Sequence, residues 1–302
     1  MMLEISEKYT DSALRVGDTD PYPQRLVGEF IGDVVSNDWV NKEYKHLVLA
    51  VHERALAAYA GQFFHLLCPS PDGAEVWMRR PMSVYRVDKP LLGRSGAAPD
   101  ASAAGHIEFL YKAEGRGTRG MAMLAQGDAF NIAGPLGKGF KLDPAWKNIV
   151  VLGRGVGLAT LAPLSQLAAE KKVGVTAILS ARNPDVVMSR DLFEGLAANT
   201  VTVLDTDTTS DVANVEKIIE GLIKEKRADA FFTCGSSRLL KLMQSLGRKH
   251  GIPGQVAMEQ IMVCGFGACY VCMRTFEIDG VKTLKRVCRD GPVFDMQQAV
   301  GW

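Results

Sequence analysis

Long apolar runs are missing from this 302-residue chain, and none approaches the roughly 20 residues that a membrane-spanning helix needs. Charge of one predominant sign is missing too. Thirty-five Lys and Arg stand against 34 Asp and Glu, for a net charge of +1, so there is no electrostatic footprint for nucleic acid or an anionic membrane. Cysteine is scarce, with six in the whole chain, which excludes a small disulfide-stapled scaffold. No cleavable signal-peptide pattern opens the sequence, and a reducing cytoplasm is the expected location. No nucleophile–base–acid triad stands out. What remains is ordinary globular composition, 47% hydrophobic and 23% charged, in a chain too long for one core and therefore expected to form two or three domains. Residues 1–20 are polar with little periodicity and read as an extension, flexible or partner-contacting.

The few cysteines are not scattered. Cys264, Cys269, Cys272 and Cys288 are spaced C-x4-C-x2-C-x15-C, the plant-type [2Fe–2S] pattern of three close cysteines and a distant fourth. The first loop, Cys264-Gly265-Phe266-Gly267-Ala268-Cys269, carries two glycines, so its backbone can wrap closely and aim N–H groups inward. Two other readings compete. Structural zinc also takes four thiolates, but usually as two C-x2-C knuckles, and here only Cys269 and Cys272 make such a pair. Disulfides or free thiols are the third reading. A cluster of this type moves one electron at a time, so the chain is expected to handle electrons.

Upstream, two patterns follow one another. Over 26–142 short strands alternate with turns, at 27–35, 44–51, 61–67, 75–79, 106–112 and 129–133, which predicts an antiparallel barrel or sandwich. The Gly-, Ala-, Ser- and Pro-rich stretch 93–105 interrupts it and reads as a surface loop. From Asn148 the pattern changes. A continuous apolar run at 149–152 leads through Gly153-Arg154-Gly155-Val156-Gly157 into an apolar-periodic helix at 158–171. Strands at 175–179, 201–204 and 228–233 and helices at 212–226 and 237–249 follow, as in an open α/β sheet. The expected fold class is thus a β-barrel domain, an α/β open-sheet nucleotide-binding domain and a small C-terminal [2Fe–2S] segment. The expected boundaries are 1–25 (extension), 26–145, 146–255 and 256–302.

Several segments carry candidate chemistry. Gly153, Gly155 and Gly157 join a strand to a helix, where glycine backbone and a helix N-terminus suit a pyrophosphate; a plain tight turn is the competing reading. Arg154 either contacts phosphate or is solvated. Ser180-Ala181-Arg182 follows the second strand in place of an acidic residue, leaving NADH against NADPH open. Cys234-Gly235-Ser236 ends a strand at the ligand-binding edge, where a small thiol would let a flat ring approach; a buried core cysteine is the alternative. Arg79-Arg80-Pro81-Met82-Ser83 follows an expected strand, with Arg suited to a phosphate and Ser to a polar ring edge. Gly115-Arg116-Gly117-Thr118 is a second loop suited to phosphate. Together with a nucleotide domain and a cluster, these suggest a flavin site.

In this order, Arg80 to Ser83, Gly117-Thr118, Gly134-Pro135-Leu136-Gly137, Gly153-x-Gly155-x-Gly157, Cys234-Gly235 and the four tail cysteines resemble the ferredoxin–NADP reductase superfamily. Within it, Met258-Glu259 and Arg286-Val287-Cys288-Arg289-Asp290-Gly291-Pro292-Val293-Phe294 are similar to the electron-transfer subunits of dihydroorotate dehydrogenase B. The resemblance implies one FAD and one [2Fe–2S] cluster. Arg80, Pro81, Met82 and Ser83 would hold the flavin ring and ribityl-phosphate side; Leu110, Tyr111 and Lys112 would lie along the FAD, and Gly117 and Thr118 would bind its pyrophosphate. Gly153, Gly155, Gly157, Cys234 and Gly235 would take the nicotinamide nucleotide, NAD(H) or NADP(H), with Cys234 the candidate catalytic residue. Cys264, Cys269, Cys272 and Cys288 would ligate the cluster. The family pattern departs here at Arg154, which interrupts successive glycines, at Thr160, where proline is common, and at Ser236, where proline usually follows Cys-Gly.

The expected activity is that of an oxidoreductase subunit. It would pass electrons between NAD(H), FAD, the cluster and a catalytic flavin dehydrogenase of dihydroorotate or related dihydropyrimidine type, in a heterotetramer or larger complex. Two alternatives are a reductase serving a ferredoxin, a bifurcating complex or an oxygenase, and a non-enzymatic zinc-bearing binding module.

Overall fold

The computed structural model describes residues 27–73, 78–88, 105–196 and 198–301. The expected extension over 1–25, most of the strand expected at 75–79, and the loop at 93–105 apart from Gly105 lie outside them.

Seven antiparallel strands form the first sheet: β1 (Gly28–Trp39), β2 (Tyr44–Val51), β3 (Phe63–Leu66), β4 (Arg80–Ser83), β5 (Arg86–Asp88), β6 (Gly105–Lys112) and β7 (Ala129–Leu136). Their spatial order is β4-β3-β7-β1-β2-β6-β5, and β4 at one edge touches β6 near the other, so the sheet curls into a half-barrel. Alternation drives this. In β2 the side chains of Leu47, Leu49 and Val51 are buried, joining Phe64, Leu66, Phe109, Phe130 and Ile132 in one interior cluster. A short helix, α1 (Arg116–Met121), follows β6. Arg80 to Ser83, expected as a loop, are themselves a strand, paired along β3. Pro81 is tolerated because β4 is an edge strand.

The second sheet has order β10-β9-β8-β11-β12-β15, with β8 (Asn148–Arg154), β9 (Gly174–Ala181), β10 (Asn199–Leu204), β11 (Ala230–Cys234), β12 (Gly254–Ala257) and β15 (Val293–Asp295). Its first five strands run parallel; β15 pairs antiparallel with β12. Continuous burial of residues 149–153 and 230–234 is what a central strand covered on both faces requires. Helices α2 (Gly157–Glu170), α4 (Val212–Lys224) and α5 (Ser237–His250) cover it, with α3 (Arg190–Gly195) beside β10. Helix α5 starts where the Ser236 hydroxyl accepts from the Leu239 N–H, and stops at Gly251 in the left-handed region.

The strand order reverses between β8 and β11: β9 and β10 lie to one side of β8, β11 and β12 to the other. That is the switch point at which open α/β sheets form a crevice beyond their carboxyl ends. The C-terminal segment is tied into the same body. A hairpin, β13 (Met273–Ile278) and β14 (Val281–Arg286), is followed by α6 (Val287–Asp290) and then β15. Phe276 and Phe294 stack at 4.3 Å between ring centroids and pin the hairpin to the sheet. No helix among the described residues is long and apolar enough to cross a membrane.

Candidate functional site

The crevice is lined by both nucleotide elements expected from the sequence, packed backbone to backbone. A Cβ on Gly157 would stand 2.6 Å from the Cys234 carbonyl oxygen, and one on Gly235, which has φ +92°, would collide with the Arg154 carbonyl. Gly155 is also left-handed, at φ +55°, and the Tyr44 hydroxyl from β2 faces it. Only glycine allows this approach at Gly157 and Gly235. Gly153 has a different duty: a Cβ there would strike Leu158 and Leu161, so it seats α2 on β8.

Arg154 neither projects into the crevice as a free cation nor sits in solvent. Its guanidinium grips Asp205, just beyond β10, with two bonds of 3.0 and 2.6 Å, and donates to the Ser180 hydroxyl at 3.0 Å. Hydrogen bonds from Arg154 and Ser210 pull the Asp205 carboxyl down to about 2. The acidic residue absent after β9 is thus found one strand over, and it is engaged.

Cys234 is buried, 1% exposed. Burial, and then the nearby Glu259 charge, push its thiol well above the usual range, against a hydrogen bond with Thr160. The same Thr160 hydroxyl meets the Ser83 hydroxyl at 2.9 Å. That bond ties β4 of the curled sheet to α2 of the α/β domain. Glu259 reaches solvent, yet protein crowded around its carboxyl raises its pKa by desolvation. Thr160 and Glu259 carry no local signal of such a role; α2 must be docked against β4 before Thr160 finds Ser83.

On the flavin side, Arg80 and Gly117 are brought together: a Cβ on Gly117 would stand 3.1 Å from Arg80 Nε. Arg80 also donates to the Met78 carbonyl at 2.6 Å. The Thr118 hydroxyl is spent on capping α1, accepting from the Glu114 and Gly115 N–H groups. In β6 the three expected contacts diverge. Leu110 packs toward the parallel sheet, and Lys112 pairs with Glu43 and Glu114. The Tyr111 side chain is turned into the half-barrel core, donating to Asn37 Oδ1 at 3.0 Å. Strand alternation leaves it no outward face, so only its backbone can line a site.

No three His, Cys, Asp or Glu side chains among the described residues converge as a single-ion site requires. The four thiols come as two pairs instead. Cys272 and Cys288 are buried, with their sulfurs 3.2 Å apart and unbonded. Cys264 and Cys269 lie nearer the surface, and the Cys264 sulfur accepts N–H groups from Ala268 and Cys269 at 3.3 and 3.4 Å. Burial raises the Cys264 pKa, but hydrogen bonds from Cys269, Phe266 and Ala268 outweigh it and bring the thiol down to about 6. Burial, and then Cys272, push Cys288 up. Two pairs are unlike a closed tetrahedral zinc site and fit a two-iron cluster held by four thiolates.

Residues 259–300 match the family model for the iron–sulfur cluster binding domain of dihydroorotate dehydrogenase B. The chain is 31% identical over 243 residues to the dihydroorotate dehydrogenase B (NAD(+)) electron transfer subunit of Bacillus cereus, covering 80% of this chain and 86% of that one. It belongs to the dihydroorotate dehydrogenase B electron transfer subunit family. The subunit of the same name from Desulforamulus reducens is 29% identical over 246 residues, 82% of this chain and 88% of that one. Among solved structures, an NADH-dependent reduced ferredoxin-NADP oxidoreductase shares the fold with a TM-score of 0.70, 23% identity and 88% of each chain covered. The ferredoxin reductase of carbazole 1,9a-dioxygenase shares it more loosely, with a TM-score of 0.54 and 16% identity over 75% of this chain and 66% of that one. In this family the fold joins a curled antiparallel sheet, an α/β domain and a C-terminal iron–sulfur segment, as here.

Proposed function

We propose that this chain is the electron-transfer subunit of a dihydroorotate dehydrogenase B type complex. It would bind FAD and a [2Fe–2S] cluster and exchange electrons between NAD(H) and a catalytic flavin dehydrogenase. The carrying observation is one joint at which all three sets of residues meet. Ser83 of β4 bonds Thr160 of α2, the helix whose first residue, Gly157, packs on the Cys234 backbone at the crevice. The cross-strand neighbour of Ser83, Phe63, belongs to the same buried cluster as Cys272 and Cys288.

When bound, FAD supplies the exchange between a two-electron hydride and single electrons, and the cluster carries single electrons. The residues present suit both. Arg80, with the bare Gly117 beside it, offers a guanidinium to a phosphate. Ser83, held by Thr160, would offer its hydroxyl to a polar edge of the flavin ring. Gly155, Gly157 and Gly235 let a pyrophosphate approach the N-terminus of α2. Cys234, kept as a neutral thiol, closes the floor where a nicotinamide would lie, and Glu259 places a carboxyl at its mouth. The cluster would take Cys264, Cys269, Cys272 and Cys288. Around that loop, Ile261, Phe266, Tyr270 and Val271 are 70, 62, 55 and 49% exposed, an apolar rim suited to a partner subunit.

The test is spectroscopic. Purified protein is expected to show flavin bands with a broad iron–sulfur shoulder, and anaerobic NADH to bleach the flavin; titration with NADPH then ranks the two nucleotides. Colourless protein containing zinc, or a flavin that neither nucleotide reduces, overturns the proposal. A partner that copurifies and oxidises dihydroorotate completes it.

A further inference from the structure

Among the described residues, Nε2 of His65 is buried without a hydrogen-bond partner, in a residue only 1% exposed. A buried polar nitrogen in this state destabilises a fold unless something absent from the protein chain meets it. Its surroundings say what. His65 lies on β3 directly opposite Pro81 of β4, so it points to the same face as Pro81 and away from Phe64 and Leu66, which fill the half-barrel core. The next residue on that face, Phe63, packs into the cluster that holds Cys272 and Cys288.

The imidazole itself rests on the cysteine loop. A Cβ on Gly265 would stand 2.8, 2.9 and 3.0 Å from Cε1, Nε2 and Nδ1 of His65, and Gly265 has φ +79°. The residue after Cys264 is therefore bare where the ring crosses it. Burial, and then the Arg79 charge, push His65 down to about 4, so at neutral pH the ring is uncharged and carries one N–H.

We propose that His65 is a positioning residue for the iron–sulfur cluster, its Nε2–H donating a hydrogen bond to a cluster sulfur on the Cys264 side. The inference rests on the cluster reading above. It makes β3 the tie between the cluster loop and the flavin strand β4. A hydrogen bond to sulfur favours the more negative, reduced cluster and so raises its reduction potential.

The test uses the holoprotein purified with its partner and labelled with 15N-histidine. After reduction, pulsed EPR of the cluster signal is expected to show a 15N coupling, lost in His65→Phe. In an EPR-monitored redox titration the cluster midpoint should fall in His65→Phe and return toward wild type in His65→Gln, which keeps a donor, while the flavin midpoint stays put. A normal cluster signal without 15N coupling in the labelled wild type overturns the proposal, and so does an unmoved midpoint in His65→Phe. Coupling found on a flavin semiquinone instead would give His65 to the flavin and equally overturn it. If His65→Phe loses its cluster, the labelled wild type and His65→Gln decide. Absence of any cluster signal in the wild type is the separate failure, that of the cluster reading itself.

Discussion

At the scale of single residues, the thiol pair in the interior is the most sensitive point. Cys272 is 2% exposed and 3.2 Å from Cys288. Cys272→Ser puts an alcohol that stays protonated where the proposed cluster would take a thiolate. Loss of an outer-shell partner already costs a metal site roughly 10–100-fold, so iron content should fall at least about tenfold. FAD should stay bound, NADH should still bleach it, and turnover with the partner should vanish. Iron analysis, the flavin spectrum and a partner assay check each part; full turnover in this variant would refute the assigned route. Gly265→Ala should also lose iron, for a steric reason, since its Cβ would meet the His65 ring. The cluster-binding segment, matched over 259–300, was legible in the sequence because its cysteine pattern is written in local spacing. His65 was not. A lone histidine on a short strand looks like any other until β3 is laid against the cysteine loop.

At the scale of elements, the β8–α2 turn was legible as a strand, glycines and a helix, but its neighbours were not. The contact between Gly157 and Cys234 joins residues 77 apart in sequence, and only the parallel pairing of β8 with β11 creates it. Gly157→Ala should therefore force the two segments apart and weaken NADH binding at least about tenfold, equivalent to roughly 1.4 kcal/mol. FAD content should be unchanged, and isothermal titration with NAD(H) reads the difference. Arg154 teaches the same lesson. Its bond to Asp205 bridges β8 and β10 and gives a pH signature. Asp205 has its pKa lowered from 3.8 to about 2 in the folded state, so the unfolded chain takes up the proton first as pH falls. The stabilisation is then complete above pH 3.8 and lost as pH falls toward 2. Asp205 is 39% exposed, and screening limits such a pair to roughly 1 kcal/mol. Unfolding free energies from urea titrations of wild type and Arg154→Met should differ by a constant amount from pH 5 to 7, within the roughly 1 kcal/mol allowed to such a pair, and converge in acid.

At the scale of the whole molecule, the order of modules was legible, because the change from period-two alternation to buried strands and helices is a property of composition along the chain. The way the modules close on each other was not. β12, the β13–β14 hairpin and β15 are short strands with mixed exposure, and only pairing with β11 and stacking of Phe276 on Phe294 define them. Their effect is to make the C-terminal segment part of the α/β body while leaving its apolar rim outward. A rim of exposed Ile261, Phe266, Tyr270 and Val271 on a protein of near-zero net charge favours association through apolar burial, not charge steering. Ile261, 70% exposed and ahead of the loop, tests this without touching a thiol. Ile261→Glu leaves the fold free to form, since the carboxylate stays in water in the isolated chain. In a complex it would be carried into an apolar contact with its hydration stripped, a cost of order several kcal/mol for an unpaired charge. Partner affinity should drop about a hundredfold or more, while flavin and iron content and flavin reduction by NADH match wild type. Coelution with the partner on size exclusion and a surface-binding titration measure it. Undiminished affinity would move the docking face away from the cluster loop.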